Sequence, residues 1–128
     1  MSLDQANWLR ILDALPAVEV DVASPLAVAF VAAEDFGRKC GCAWLWWPDS
    51  RRAAQRCNFD GRYPDDWGLL LVMNDAAIAK VGADGTASMA HLVRRLDIKP
   101  FVLRSREELD AAGVLEFIET LELATPKH

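Results

Sequence analysis

Residues 42–47, Cys-Ala-Trp-Leu-Trp-Trp, place three indoles within four positions, directly ahead of Pro48. Aromatic side chains suit the pleated, half-buried surface of a strand. A proline ends the ladder because it has no N–H to donate. Alternation along a strand sends Trp44 and Trp46 to one face and Trp47 to the other. One of these faces has to be core, and the other is free to leave an indole near solvent. A chain with this segment is committed to a sheet.

The remaining pattern supplies the other elements. Trp8, Ile11, Leu12 and Leu15 fall at i, i+3, i+4 and i+7, so residues 4–15 read as a helix that Pro16 ends. Val18 to Val22 alternates as a strand with one wet face. The run 26–36 reads as a strand pairing back on 18–22 in a hairpin. Residues 51–57 read as a short helix capped by Asp49 or Ser50. Leu69 to Met73 and Ile78 to Val81 read as two strands joined through Asn74-Asp75, and Asp84-Gly85 turns the chain again.

Met89, Leu92, Val93 and Leu96 form the apolar stripe of a helix over 87–96. A short strand is expected over 101–104, after Pro100. Ser105 and Glu108 have the spacing of a capping box, in which two free backbone donors at a helix start are satisfied reciprocally. The last helix runs to about residue 122, with a kink or break expected at Gly113. These elements predict one α+β domain over residues 1–128, with a mixed or largely antiparallel sheet of about five strands. N-terminal, middle and C-terminal helices pack on it. The stretch 68–97 is similar to the β-β-α end of thioredoxin-like proteins. The Cys-x-x-Cys of that family is absent and no proline directly precedes Leu69, so the resemblance implies no redox activity.

The chain carries 14 Lys and Arg against 19 Asp and Glu, a net charge of −5. Duplex affinity comes mainly from neutralised phosphates, which disfavours nucleic acid as a partner. The charge is unevenly distributed. Residues 38–62 hold six cations and two acids, residues 91–106 five cations and one acid, and the remainder is strongly acidic. No apolar run approaches the ~20 residues of a membrane-spanning helix. The N-terminus has no basic region ahead of an apolar segment. Three cysteines, with Cys40 and Cys42 separated by one residue, do not form a disulfide framework. A cytoplasmic protein without a membrane partner is expected.

Several chemistries are disfavoured. There is no G-x-S-x-G elbow, no phosphate-binding G-x-x-x-x-G-K-[ST] and no G-x-G-x-x-G. Cys40, Cys42, Cys57 and His91 would make a zinc set only with unusual spacing, since structural sites favour C-x₂₋₄-C knuckles. A thiol nucleophile would need a base such as His91 and a lowered thiol value, which Arg38 and Lys39 beside Cys40 would favour. Asp65 with Asp97-Ile98-Lys99 has the residue types of a magnesium nuclease. Asp97-Ile98-Lys99 reads, however, as the end of a helix.

The features left over are surface ones. Trp47, Arg51, Arg52 and Arg56 lie close in sequence, and His91, Arg94 and Arg95 share one polar helix face. Trp and Arg are enriched at protein–protein hot spots. Glu116, Glu119 and Glu122 make an acidic ridge on the last helix, suited to steering a basic partner. The expectation is a small cofactor-free module that binds or inhibits another protein through a charged surface. Bacterial toxin-immunity proteins are of this physical kind in size and charge. A homodimer is compatible with this. A thiol-dependent enzyme or redox protein using Cys40, Cys42 or Cys57 is the alternative.

Overall fold

The computed structural model describes residues 5–15, 25–48 and 54–121. Five strands, β1 (Ala27–Ala32), β2 (Gly41–Trp46), β3 (Gln55–Phe59), β4 (Trp67–Met73) and β5 (Ile98–Val102), form one mixed sheet in the order β3-β2-β1-β4-β5. β1 and β4 run parallel at its centre, and the other pairs are antiparallel. Both central strands are buried along their whole length, so they read as continuous apolar runs rather than alternating ones. The helices are α1 (Gln5–Asp13), α2 (Ala33–Arg38), α3 (Asp75–Asp84), α4 (Met89–Arg94), α5 (Arg106–Ala111) and α6 (Val114–Thr120). A 3₁₀ turn (Gly85–Ser88) joins α3 to α4. The fold is α+β, as the pattern of elements predicts.

The two faces of the sheet are covered differently. On one, Phe30, Trp44, Trp46, Leu71 and Met73 pack against apolar residues of α1, α3, α4, α5 and α6 in the larger core cluster. The other face is floored by small residues, Ala27, Ala29 and Ala43. It is covered by Trp47, Phe59, Trp67 and Phe36, the last on α2. A row of rings runs across this face. Phe101, Phe36, Phe59, Trp67 and Tyr63 follow one another at centroid separations of 5.5, 6.3, 6.3 and 6.5 Å. Trp44 and Trp46 share one face and Trp47 the other, as alternation requires. Trp47 is only 2% exposed, however, so neither face leaves its indole in solvent.

Four other expectations are corrected. Ile78 to Val81 is part of α3, not a strand. The Asn74 side chain accepts the Ala77 N–H at 2.9 Å and caps the helix, so Asn74-Asp75 opens a helix where a hairpin turn was expected. The stretch 68–97 is therefore not the β-β-α of thioredoxin-like proteins. Gln55 to Cys57 belong to β3, and Cys57 lies opposite Ala43 of β2. A strand here satisfies the outer edge of β2 in a way that a helix would not. β1 ends at Ala32 and α2 begins at Ala33. Both edges of β1 are taken by β2 and β4, which leaves no edge for a hairpin with 18–22, a segment outside the described residues.

The last of the four concerns β5, which starts at Ile98 and contains Pro100. Leu103 N–H donates to the Gly68 carbonyl. Counting back along the antiparallel register puts Pro100, opposite Leu71, at a position whose backbone points away from β4. The proline on this edge strand thus removes no ladder bond and denies a donor to any further strand.

The capping box and the break at Gly113 are both present. Ser105 Oγ accepts the Glu108 N–H at 3.2 Å, and Glu108 Oε1 accepts the Ser105 N–H at 3.3 Å. Gly113, at φ 79°, separates α5 from α6. The tightest turn lies between α2 and β2. Gly41 has φ 138°, and a Cβ there would sit 2.2 Å from Asp35 Cγ. The Asp35 carboxylate also accepts the Cys42 N–H at 3.3 Å and pairs with Arg38 at 2.8 Å. Only glycine fits between helix and strand at this point.

Candidate recognition corner at the end of α4

The apolar stripe of α4 carries Met89, Leu92 and Val93 into the core, and periodicity assigns Leu96 to the same stripe. The backbone overrules that assignment. Leu96 N–H donates to the Val93 carbonyl and Asp97 N–H to the Leu92 carbonyl, both at 3.0 Å. This pair of bonds ends a helix on a left-handed residue, most often glycine. Here the residue is leucine, at φ 66°. The turn swings its side chain out of the core, and it stands 66% exposed. For a non-glycine residue the left-handed backbone costs roughly 1–2 kcal/mol.

Leu96 has apolar company. The large hydrophobics that are exposed among the described residues are Tyr63, Leu96, Phe101 and Val102. The last two, on β5, are 39% and 44% exposed. Leu96 and Phe101 line one recess of about 360 Å³, together with Ala33, Phe36, Asn74 and Lys99. Polar and basic residues of this segment are exposed as well. His91 and Arg94 are exposed on α4, Arg95 follows directly, and Lys99 is exposed on β5. Arg95 Nε lies 3.5 Å from Asp97 Oδ2. Asp97 Oδ1 also accepts from Asn74 Nδ2 at 2.8 Å, and the Asn74 N–H donates to the Asp97 carbonyl at 3.0 Å. These bonds fix the turn before β5 against the cap of α3, so Leu96 is presented by a braced turn.

Comparison with protein-family models, curated proteins and solved structures finds no match. His91 and Arg94 are exposed on α4, and Arg95, also exposed, is its C-cap residue. Arg56 is exposed on β3, at the opposite edge of the sheet from β5. Four interstrand spacings of ~4.8 Å separate these two edges. Arg51 and Arg52 lie outside the described residues. Trp47 is buried within the aromatic layer, where it contributes to the core rather than to a contact surface. Glu116 and Glu119 are exposed on α6, and Glu122 lies outside the described residues.

The thiols do not assemble a centre. Cys40 is exposed, Cys42 and Cys57 are half-buried, and all three are free. Cys57 is opposite Ala43 and Cys42 opposite Asn58, so the two thiols leave opposite faces of the β2–β3 ladder. Burial pushes the Cys57 thiol up, with nearby Cys42 and Asp66 adding to the effect. This is the reverse of what a thiolate nucleophile needs. Among the described residues no three His, Cys, Asp or Glu side chains are placed to share a metal ion.

The nuclease arrangement does not form either. Ile98 and Lys99 are on a strand, not at a helix end. Asp65, bound to Arg104, precedes the first residue of β4, whereas Asp97 adjoins its last. The seven residues of that strand hold the two carboxylates ~20 Å apart. Among the described residues no helix is long and apolar enough to cross a membrane.

The sequence reading missed Leu96, Phe101, Val102 and Lys99 as surface groups. Leu96 was hidden by its own periodicity. The signal that remained visible was the apolar pair Phe101-Val102 directly after Pro100, on a strand that the proline marks as an edge.

Proposed function

We propose that this protein is a binding module that recognises an acidic protein surface through the corner formed by the end of α4 and β5. The observation that carries this reading is Leu96, a bulky apolar residue held in a left-handed backbone and left mostly in water. Both properties oppose stability. Such an outlier motivates a functional reading because glycine would end the helix with less strain. Phe101, which lines the same recess as Leu96, extends the apolar surface. Arg94, Arg95 and Lys99, all exposed with His91, bring positive charge to the segment 91–106, whose one acid is Asp97. An apolar centre with a charged rim is the anatomy of a protein contact, and the sign of the rim selects an acidic partner. The module needs no cofactor for this role. Its free thiols, one of them exposed, suit the reducing cytoplasm.

The test is affinity capture from native lysate with three baits: the natural sequence, Leu96→Asp and Arg56→Glu. The expected result is one acidic protein retained by the natural sequence and by Arg56→Glu, lost by Leu96→Asp, and released as salt is raised. Equal retention by all three baits, or retention lost only by Arg56→Glu, overturns the assignment of the contact to this corner.

A further inference from the structure

The recess behind this corner supports an inference that goes beyond the protein contact. β1 and β4 are adjacent and parallel, and the helices that follow them depart to opposite faces of the sheet. α2 places Phe36 over the small-residue face, whereas α3 places Ile78 and Val81 in the larger core. In open sheets a crevice forms outside the carboxyl ends of two such strands, and it is the usual ligand position of α/β folds. The recess of about 360 Å³ lies at this place, with Ala33 directly after β1 and Asn74 directly after β4 among its lining residues. Its volume is in the range of small-molecule sites.

The chemistry of its walls is specific. Phe36 and Phe101 stack at 5.5 Å and 25°, and Phe101 keeps part of its ring open to water. Leu96 forms the outer rim. Lys99 stands two residues from Phe101 on the same face of β5. Among the described residues it has no anionic partner. The carboxylate of Asp97 is already engaged by Asn74 Nδ2 and Arg95, so the free charge that faces the recess is the Lys99 ammonium. We propose that this recess binds a small aromatic carboxylate, with its ring against Phe101 and Leu96 and its carboxylate on Lys99. The ligand covers apolar surface that Leu96 and Phe101 leave exposed and supplies an anion that Lys99 does not have among the described residues.

Titration of the ¹⁵N-labelled full chain with benzoate tests this without any partner protein. Saturable amide shifts confined to the neighbourhood of Ala33, Asn74, Lys99 and Phe101 are expected, with Kd on the order of 1 mM for so small a probe. Benzamide, which keeps the ring and lacks the charge, and cyclohexanecarboxylate, which keeps the charge and lacks the flat ring, should each bind roughly tenfold more weakly or worse. Lys99→Met should weaken benzoate by a similar factor while leaving its benzamide affinity unchanged. The proposal is overturned if benzamide or benzylamine binds as well as benzoate, if Lys99→Met binds benzoate normally, or if the shifts are linear in concentration or map elsewhere. The recess shares Leu96, Phe101 and Lys99 with the proposed protein contact. The benzoate titration uses no partner and the capture uses no ligand, so failure of one assay is distinguishable from failure of the other.

Discussion

The two basic windows of this chain, 38–62 and 91–106, have the same net charge of +4 and end at opposite edges of one sheet. In each, a six-residue helix ends and is followed by a non-glycine residue with a left-handed backbone, Lys39 after α2 and Leu96 after α4. Their side chains meet different fates. The window around β2 and β3 turns its large aromatics inward: Trp44, Trp46, Trp47 and Phe59 are all buried, and its left-handed residue is a lysine whose stem lies against Gly61. The window around α4 and β5 does the reverse and leaves Leu96, Phe101 and Val102 exposed among its cations. Charge count alone does not separate a solvated face from a contact surface. The placement of the apolar residues does.

The largest effect should come from Trp47. If it belongs to the core of the first window, Trp47→Ala removes a buried indole and should destabilise the protein by roughly 3–5 kcal/mol in urea unfolding. Leu96→Ala, in the second window, should change stability by less than ~1 kcal/mol. Similar values for the two substitutions would break the contrast between the windows. Next in size is Gly41→Ala. A side chain there needs a backbone that L-residues rarely adopt and also collides with the Asp35 carboxylate. A loss of about 3 kcal/mol is expected, with the α2–β2 turn as the first amides to lose hydrogen-exchange protection.

A paired glycine substitution sharpens the comparison. Glycine at Lys39 or at Leu96 relieves roughly 1–2 kcal/mol of left-handed strain and adds about 0.5–1 kcal/mol of unfolded-chain entropy. Both variants should therefore lie between unchanged and ~1.5 kcal/mol more stable. Only Leu96→Gly should lose the captured partner. If Leu96→Gly destabilised the fold by more than 1 kcal/mol, the leucine would be serving the fold itself.

The sheet was legible in the sequence because its signals are local. The tryptophan strand, the apolar run of β4 and the capping box of α5 each depend on neighbours within a few residues. The errors came where one local signal has two meanings. Asn74 serves a hairpin or a helix cap equally well, and the bond from its Nδ2 to Asp97, 23 residues away, is part of what fixes the second. The outward turn of Leu96 depends on α4 ending at Arg94, which no stripe of apolar residues reports. The candidate site was half legible for the same reason. His91, Arg94 and Arg95 follow from helical spacing, but the apolar centre between them depends on the turn and on which strand is the edge.

The smallest expected effect concerns Cys57, in the first window, and it tests the contrast from the inside. Partial burial pushes this thiol up, so the folded protein holds the proton more tightly than the unfolded chain does. The resulting stabilisation is fully present below the ordinary unfolded thiol value of about 8.5 and is lost as pH rises through the higher folded value. Unfolding free energy should therefore fall more steeply between about pH 8 and 10 in the natural sequence than in Cys57→Ala. The slopes are to be compared, not the absolute stabilities, because the substitution also removes packing. Iodoacetamide should modify exposed Cys40 well before Cys57 at pH 8. Equal alkylation rates, or parallel alkaline slopes, would mean that Cys57 is as open to water as Cys40 and that the β2–β3 side is less closed than its buried aromatics imply.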